Sequence, residues 1–200
     1  MGENLNGGTS LAAAPTRSAA AVPFQAVHEV AGVLDEITLF FQRRHFDEQL
    51  ALRLRQAETE RRRLAVILVD ADGLARINER WGMATGDAIM VGFDRRIAAS
   101  VAPDDVFAHH DGRRLAIVRW APSADRALAF AQHLASRVSG APFEFPGGRD
   151  AAFLTASVGV ALGGAARETT IIVAAAAEAL RRAKRGGGNR VCLADSMYSE

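Results

Sequence analysis

Two carboxylates at the end of an apolar run, and two arginines at the tip of a tight turn, hold most of the chemistry open to this sequence. The run Ala65-Val66-Ile67-Leu68-Val69 leads into Asp70-Ala71-Asp72. It reads as a buried strand, and carboxylates at such a strand end commonly hold Mg²⁺ and bring phosphates alongside. The alternative for Asp70 is a carboxylate that caps the following turn at Gly73–Ala75. Further on, Val106-Phe107-Ala108 and Leu115-Ala116-Ile117-Val118 flank His109-His110-Asp111-Gly112-Arg113-Arg114. An Asp-Gly pair between apolar runs predicts a β-hairpin, because both turn residues tolerate positive φ. Arg113 and Arg114 then sit at its tip, where planar, multi-donor guanidiniums suit oxyanions. His109 and His110 next to Asp111 invite a metal reading. Adjacent strand residues point to opposite faces, however, so both cannot face one ion. A solvated or core-satisfied histidine is the expectation for each.

Composition narrows the classes. The 200 residues are 49% hydrophobic, which suits one domain with a sizeable core plus short extensions. A formal net charge of +1 argues against a nucleic-acid surface as the default. Cys192 is the single cysteine, so an intrachain disulfide is impossible and a reducing cytoplasm is the simpler compartment. No apolar run approaches the ~20 residues that span a bilayer. The first residues lack a basic stretch followed by an apolar one, so no signal peptide is expected.

The elements that must position these groups follow from periodicity. Residues 1–22 are rich in Gly, Ala, Ser, Thr and Pro, and read as a disordered tail. Residues 23–63 read as helices leading into the domain. The first, over about 24–34, carries Phe24, Val27, Val30 and Leu34. The second, over about 42–62, carries Phe46, Leu50, Leu54 and Ala57, with a Glu58–Arg62 pair on another face. The domain proper is placed at 64–195, followed by a tail at 196–200. Within it come a strand at 64–69, a short helix from Gly73 to Trp81 and a longer one from Gly86 to Val101 with Ile89, Phe93, Ile97 and Val101 inward. The hairpin at 105–120 follows. A helix over about 124–139, N-capped by Ser123, turns Leu128, Ala131, Leu134 and Val138 inward and stops at Gly140 and Pro142. A strand at 152–162, a helix from Glu168 to Lys184 ended by Gly186-Gly187-Gly188, and a strand from Arg190 to Leu193 complete the chain. Trp81 and Trp120 are read as packing residues. Arg61-Arg62-Arg63 is read as a solvated helix end that could serve as a docking patch. Alternating strands and helices with one hairpin give an α/β sandwich with a mixed sheet.

Four blocks in order resemble the GGDEF family, the diguanylate cyclase fold that condenses two GTP into cyclic di-GMP. The opening pattern D-x-L-T-G-L-x-N-R-R-x-F is met by Asp35-Glu36-Ile37-Thr38-Leu39-Phe40-Phe41-Gln42-Arg43-Arg44-His45-Phe46. The pattern D-x-D-x-F-K-x-I-N-D-x-x-G-H-x-x-G-D is met from Asp70 and Asp72 through Ile77-Asn78 to Gly86-Asp87. T-x-S-x-G-x-A is met by Thr155-Ala156-Ser157-Val158-Gly159-Val160-Ala161, and A-D-x-A-L-Y-x-A-K-x-x-G-R-N by Ala176 through Lys184 to Asn189. The resemblance implies a nucleotidyl-cyclase-like sandwich: a central mixed, mostly antiparallel five-stranded sheet flanked by helices.

It also implies roles. The signature positions are Asp111, Gly112, Arg113, Arg114 and Leu115. In the family a magnesium pair is held by the residue at Asp70 and by the third signature residue, here Arg113. Replacing two carboxylates by two guanidiniums moves the local formal charge from about −2 to +2. Unit charges ~4 Å apart interact by roughly 4 kcal/mol at an effective dielectric near 20, and arginine does not deprotonate to relieve the clash. No catalytic residue is therefore expected, Asp70 is a vestigial metal position, and no cofactor is expected unless family-type nucleotide binding, with Mg²⁺, persists. Asn78 and Asp87 match residues that read the guanine edge; the alternatives are an amide bonded to the helix backbone and an N-terminal helix charge. Lys184 matches a phosphate-contacting lysine, its alternative being a cation near a helix C-terminus. Gly188 stands where the family has an arginine. At the inhibitory site, R-x-x-D in the family, the positions read Ala102-Pro103-Asp104-Asp105, so cyclic di-GMP is not expected there.

The reading that results is a catalytically inactive GGDEF-like domain, cytoplasmic, acting as a regulatory or interaction module on another signalling protein, with a homodimer left open. The alternatives are a diguanylate cyclase with residual activity and a metal-independent GTP sensor using Asn78, Asp87, Lys184, Arg113 and Arg114. No nucleic-acid partner and no membrane span are expected.

Overall fold

Leu64 to Asp72 forms the middle of the sheet, and everything else is arranged about it. The computed structural model describes residues 36–148, 150–164 and 168–195. In chain order the elements are α1 (Glu36–Thr59), β1 (Leu64–Asp72), α2 (Leu74–Trp81), α3 (Met83–Ala98), β2 (Val106–Asp111), β3 (Arg114–Trp120), α4 (Ala124–Ser139), β4 (Phe143–Glu144), β5 (Ala151–Ala152), β6 (Thr155–Gly163), α5 (Thr169–Arg185) and β7 (Val191–Leu193). The sheet order is β2-β3-β1-β6-β7. β1 pairs antiparallel with β3 on one side and β6 on the other, β2 pairs antiparallel with β3, and β7 runs parallel to β6. This is the mixed, mostly antiparallel five-stranded sheet the motifs imply.

β1 is covered on both faces, which is why its sequence is continuously apolar rather than alternating. Ala65, Ile67, Val69 and Ala71 pack with the inward residues of α2, α3 and α4. Leu64, Val66 and Leu68 pack with α1 and α5. Phe46, Leu50, Leu54 and Ala57 of α1 are buried in that second layer, so this helix lays its apolar face on the domain's own sheet.

The structure moves several expected boundaries. The helix expected at 42–62 runs over Glu36–Thr59 and ends where Arg61 adopts a left-handed φ of 50°, with the Arg62 N–H donating to the Ala57 carbonyl at 2.9 Å. The Glu58–Arg62 pair therefore does not form, and Arg62 bonds to Glu60 at 3.0 Å. β1 extends to Asp72 rather than Val69, because β6 pairs with it that far. On α4, Ser123 caps as expected, but Ala127 rather than Leu128 joins Ala131, Leu134 and Val138 in the core. The strand expected at 152–162 is broken at Phe153-Leu154: Ala151–Ala152 pairs instead with Phe143–Glu144 in a separate small hairpin. The expected tail at 1–22, helix at 24–34 and tail at 196–200 lie outside the described residues.

Gly159 sets how closely α5 lies on the sheet. A Cβ there would stand 2.2 Å from the Ala176 carbonyl oxygen and 2.3 Å from the Leu180 nitrogen, both backbone atoms of α5. Neither can yield without lifting the helix. Gly159→Ala should therefore destabilise the domain by about 1–3 kcal/mol, the range of a core overpacking change. Urea unfolding measures it, and an unchanged midpoint would contradict this packing.

Candidate functional site

At the C-terminal end of β1 the side chains of Asp70 and Asp72 fall on the face covered by α1 and α5, because residues two apart share a side. β6 runs antiparallel beside them, with Thr155 opposite Asp72 and Ser157 opposite Asp70. The Asp72 carboxylate receives four donors. Thr155 Oγ1 and the Asn189 N–H donate to Oδ2 at 2.8 Å each; Ser157 Oγ at 2.8 Å and Lys184 Nζ at 2.9 Å approach Oδ1. Burial alone would raise this carboxyl, but the Asn189 N–H, Lys184 and the two hydroxyls together hold it below the usual carboxylate range. The loop after α5 is shaped around it. Gly188 has a φ of 74°, and a Cβ there would stand 3.0 Å from the Asp72 carboxyl carbon.

Lys184 lies in the last turn of α5, as the helix-end alternative supposes, but its ammonium is spent elsewhere. It donates to the Ala71 carbonyl at 2.9 Å and lies 2.9 Å from Asp72 Oδ1 and 3.2 Å from Asp70 Oδ1. Asp70 does not cap the turn at Gly73–Ala75: the residue preceding α2 is Gly73 and no side chain caps it. Burial pushes the Asp70 carboxyl up despite the Lys184 charge beside it.

The expected hairpin forms, with Gly112 at φ 43° in the turn. Arg114, on the same face as Asp70, forms an ion pair through two hydrogen bonds with Asp111, so the second arginine of the tip is engaged by the first residue of the turn. Arg113 is exposed. His109 and His110 point to opposite faces as the strand geometry predicts, and both are core residues. His109 Nε2 is 3.2 Å from Asp94 Oδ2 of α3, while His110 packs edge-on to Phe46 of α1 with ring centroids 5.9 Å apart. Burial lowers the His110 pKa.

Asn78 of α2 lies against Gly86 of α3, the residue that precedes Asp87, on the α2–α3 side of the sheet. A Cβ on Gly86 would fall 1.7 Å from Asn78 Oδ1, so the amide in this position occupies the space a side chain at 86 would need. That oxygen is buried without a hydrogen-bond partner, and Asp87 is exposed. Neither alternative for these residues is realised: the amide oxygen does not bond the helix backbone, and Asp87 lies beyond the first turn of α3. At Ala102–Asp105, Asp105 accepts the Ala102 N–H at 2.8 Å and pairs with Arg119 at 3.1 Å; its burial raises its carboxyl in spite of both. The two tryptophans do more than fill space. Trp81 is 39% exposed with Arg80 over its ring, and Trp120 carries two guanidiniums.

The magnesium pair that the resemblance implies does not fit the residues as arranged. Of the two positions it would use, Asp70 has the Lys184 ammonium 3.2 Å from its Oδ1, and the other is Arg113, a cation in place of a ligand. Among the described residues no three His, Cys, Asp or Glu side chains converge as metal ligands.

The family model described as diguanylate cyclase, GGDEF domain, matches residues 32–190. The chain belongs to the GGDEF family. Among curated proteins it is 28% identical over 129 residues to the response regulator PleD of Caulobacter vibrioides, covering 64% of this chain and 28% of that protein. It is 30% identical over 128 residues to the bifunctional diguanylate cyclase/cyclic di-GMP phosphodiesterase MucR of Pseudomonas aeruginosa, covering 64% of this chain and 18% of that one. The chain thus matches under a third of the length of these relatives. Among solved structures, the GGDEF domain of DgcB from Caulobacter crescentus in complex with cyclic di-GMP superposes with a TM-score of 0.72 at 25% identity, over 77% of this chain and 91% of that one. The GGDEF domain of TpbB from Pseudomonas aeruginosa gives 0.71 at 28% identity, over 76% and 95%. No helix among the described residues of this GGDEF domain is long and apolar enough to cross a membrane.

Sequence reasoning passed over Thr155, Ser157 and Asn189 as carboxylate partners. The available signal was two hydroxyl residues at period-two spacing in an otherwise apolar strand. The carboxylates they serve titrate in opposite senses, which separates their roles. Asp72 has a folded pKa below its ordinary value, so its stabilisation is present above about pH 4 and is lost as the pH falls through the folded value. Asp70 has a folded pKa above its ordinary value, so its charge opposes folding at neutral pH. Asp72→Asn should cost about 1–3 kcal/mol at pH 7 and progressively less on acidification, whereas Asp70→Asn should leave stability unchanged or raise it. Urea midpoints of both variants at neutral and acid pH check the pair.

Proposed function

We propose that this GGDEF domain does not condense GTP and acts as a regulatory or interaction module in cyclic di-GMP-type signalling. One observation carries the reading: the Lys184 ammonium lies among the Asp70, Ala71 and Asp72 oxygens, against the carboxylate that the resemblance assigns to the metal. Arg113 and Arg114, taken as the third and fourth signature positions, bring positive charge to the hairpin tip, and Arg114 is close enough to act on the Asp70 charge. A cation entering there would displace an ammonium held by three oxygens and face guanidiniums that cannot be neutralised. Without a metal, little lowers the pKa of an attacking 3′-hydroxyl or spreads charge on the phosphoryl group. The Asp105–Arg119 pair supports the same conclusion at the inhibitory site, since the carboxylate already has a cation partner and position 102 is alanine. A cytoplasmic location goes with this role.

One observation favours a second reading, GTP binding without a metal. Asn78 Oδ1 is a buried acceptor with no partner, and such an atom is costly unless something donates to it. The donor edge of guanine would satisfy it, with Arg113 free to meet phosphate oxygens.

Incubation of the purified protein with GTP and Mg²⁺ or Mn²⁺ is expected to yield no cyclic di-GMP. Product above a heat-killed control, abolished by Asp70→Ala, overturns the proposal. Calorimetry with GTP tests the second reading: binding that persists in EDTA and weakens with salt supports it, and a strict divalent requirement refutes it.

A further inference from the structure

At the end of β3 opposite the hairpin tip lies a basic surface that the nucleotide site does not use. Trp120 closes the strand on the face covered by α1, and two guanidiniums lie over its ring, Arg62 at 4.0 Å and Arg53 at 5.4 Å from the centroid. Arg53 donates to the Asp104 carbonyl at 2.7 Å, and Arg62 to Glu60 at 3.0 Å. Each guanidinium has five N–H donors in a rigid fork, so these anchors fix its position and leave donors to spare. Two like charges are thus held over a single indole, with one carboxylate hydrogen-bonded to the pair among the described residues.

The neighbouring residue adds an independent sign. Arg61 holds a φ of 50° at the C-terminal cap of α1, a position where glycine is the usual occupant because a Cβ is strained there. Arg61 is exposed at this position, so its charge is open to a ligand. Arg63 is exposed as well, and the run continues the same surface.

We propose that Arg53 and Arg62, held over Trp120, together with the adjoining exposed Arg61 and Arg63, dock an acidic peptide segment of a partner protein. Carboxylates match forked guanidiniums two oxygens at a time, and stacking on the indole pre-pays the ordering of the two long side chains. A continuous phosphate backbone or an anionic bilayer fits less well. Glu60 and Asp104 bring negative charge into the patch, and the whole chain carries a net charge of only +1. A short Asp/Glu segment can step between those carboxylates; a uniform sheet of phosphates cannot. This surface is separate from the nucleotide site, so its docking stands or falls independently of whether GTP is turned over.

Fluorescence anisotropy of a labelled hexaglutamate peptide against the full chain tests it. The expected result is saturable binding that falls by about tenfold or more in Arg53→Gln/Arg62→Gln. Arg126→Gln/Arg137→Gln, which removes the same charge from exposed positions on α4, should bind as the wild type does. Arg61→Gly should weaken binding while its thermal midpoint is no lower than that of the wild type. The proposal is overturned by an absence of saturable binding, or by equal losses in the α4 control. It is likewise overturned if single-stranded DNA or phosphatidylserine vesicles bind more tightly than the peptide, or if Arg61→Gly unfolds the chain.

Discussion

The Asp72 carboxylate is the constraint on which this end of the molecule depends. Four donors from three places converge on it: two hydroxyls from β6, the ammonium at the end of α5, and a backbone N–H from the loop that leads to β7. A half-buried charge is stabilised when its oxygens are well served, and both oxygens of this one accept donors. The same bonds tie the central strand to its neighbour, fix where α5 ends and bend the Gly188–Asn189 loop back over the sheet. Gly159, two residues beyond Ser157 on the same face, lets α5 approach closely enough for Lys184 to reach. The T-x-S-x-G motif is therefore one structural device: two donors for a carboxylate and a gap for a helix.

That arrangement has an electrostatic consequence next door. With Asp72 served by Lys184, Asp70 shares the same ammonium at a longer distance, and burial is the larger influence on it. A strand end that could concentrate negative charge for a cation is instead internally neutralised. Arg114, turned back onto Asp111, extends the pattern to the hairpin: most charges here already have a partner within the chain. The exposed Arg113 and the unpartnered Asn78 oxygen are the groups left to interact outward.

Buried histidines beside the hairpin turn show how the two layers are joined. His109 faces α3 and sits against Asp94, while His110 faces α1 and sits against Phe46. One strand thereby ties both helical layers to the hairpin, and the alternation that rules out a shared metal ion is the same geometry that makes this possible.

The sequence by itself determined the sheet, the helices and the family. A continuous apolar run names a strand covered on both faces, Asp-Gly names the hairpin, and four spaced blocks name the fold; these are local signals, written in neighbouring residues. It also determined that two arginines stand at the hairpin tip. Tertiary structure decided what each charge touches. Lys184 and Asp72 are separated by more than a hundred residues, and nothing local says that an ammonium at a helix end will settle among strand-end oxygens rather than serve that helix's dipole. The break at Phe153-Leu154 and the end of α1 at Thr59 were likewise invisible, since pairing partners and a left-handed arginine, rather than propensity, set those boundaries. Arg61-Arg62-Arg63 looks in sequence like a solvated helix end. Only the fold brings Trp120 and Arg53 beneath it, because strand ends and helix ends distant in the chain meet where the layers close.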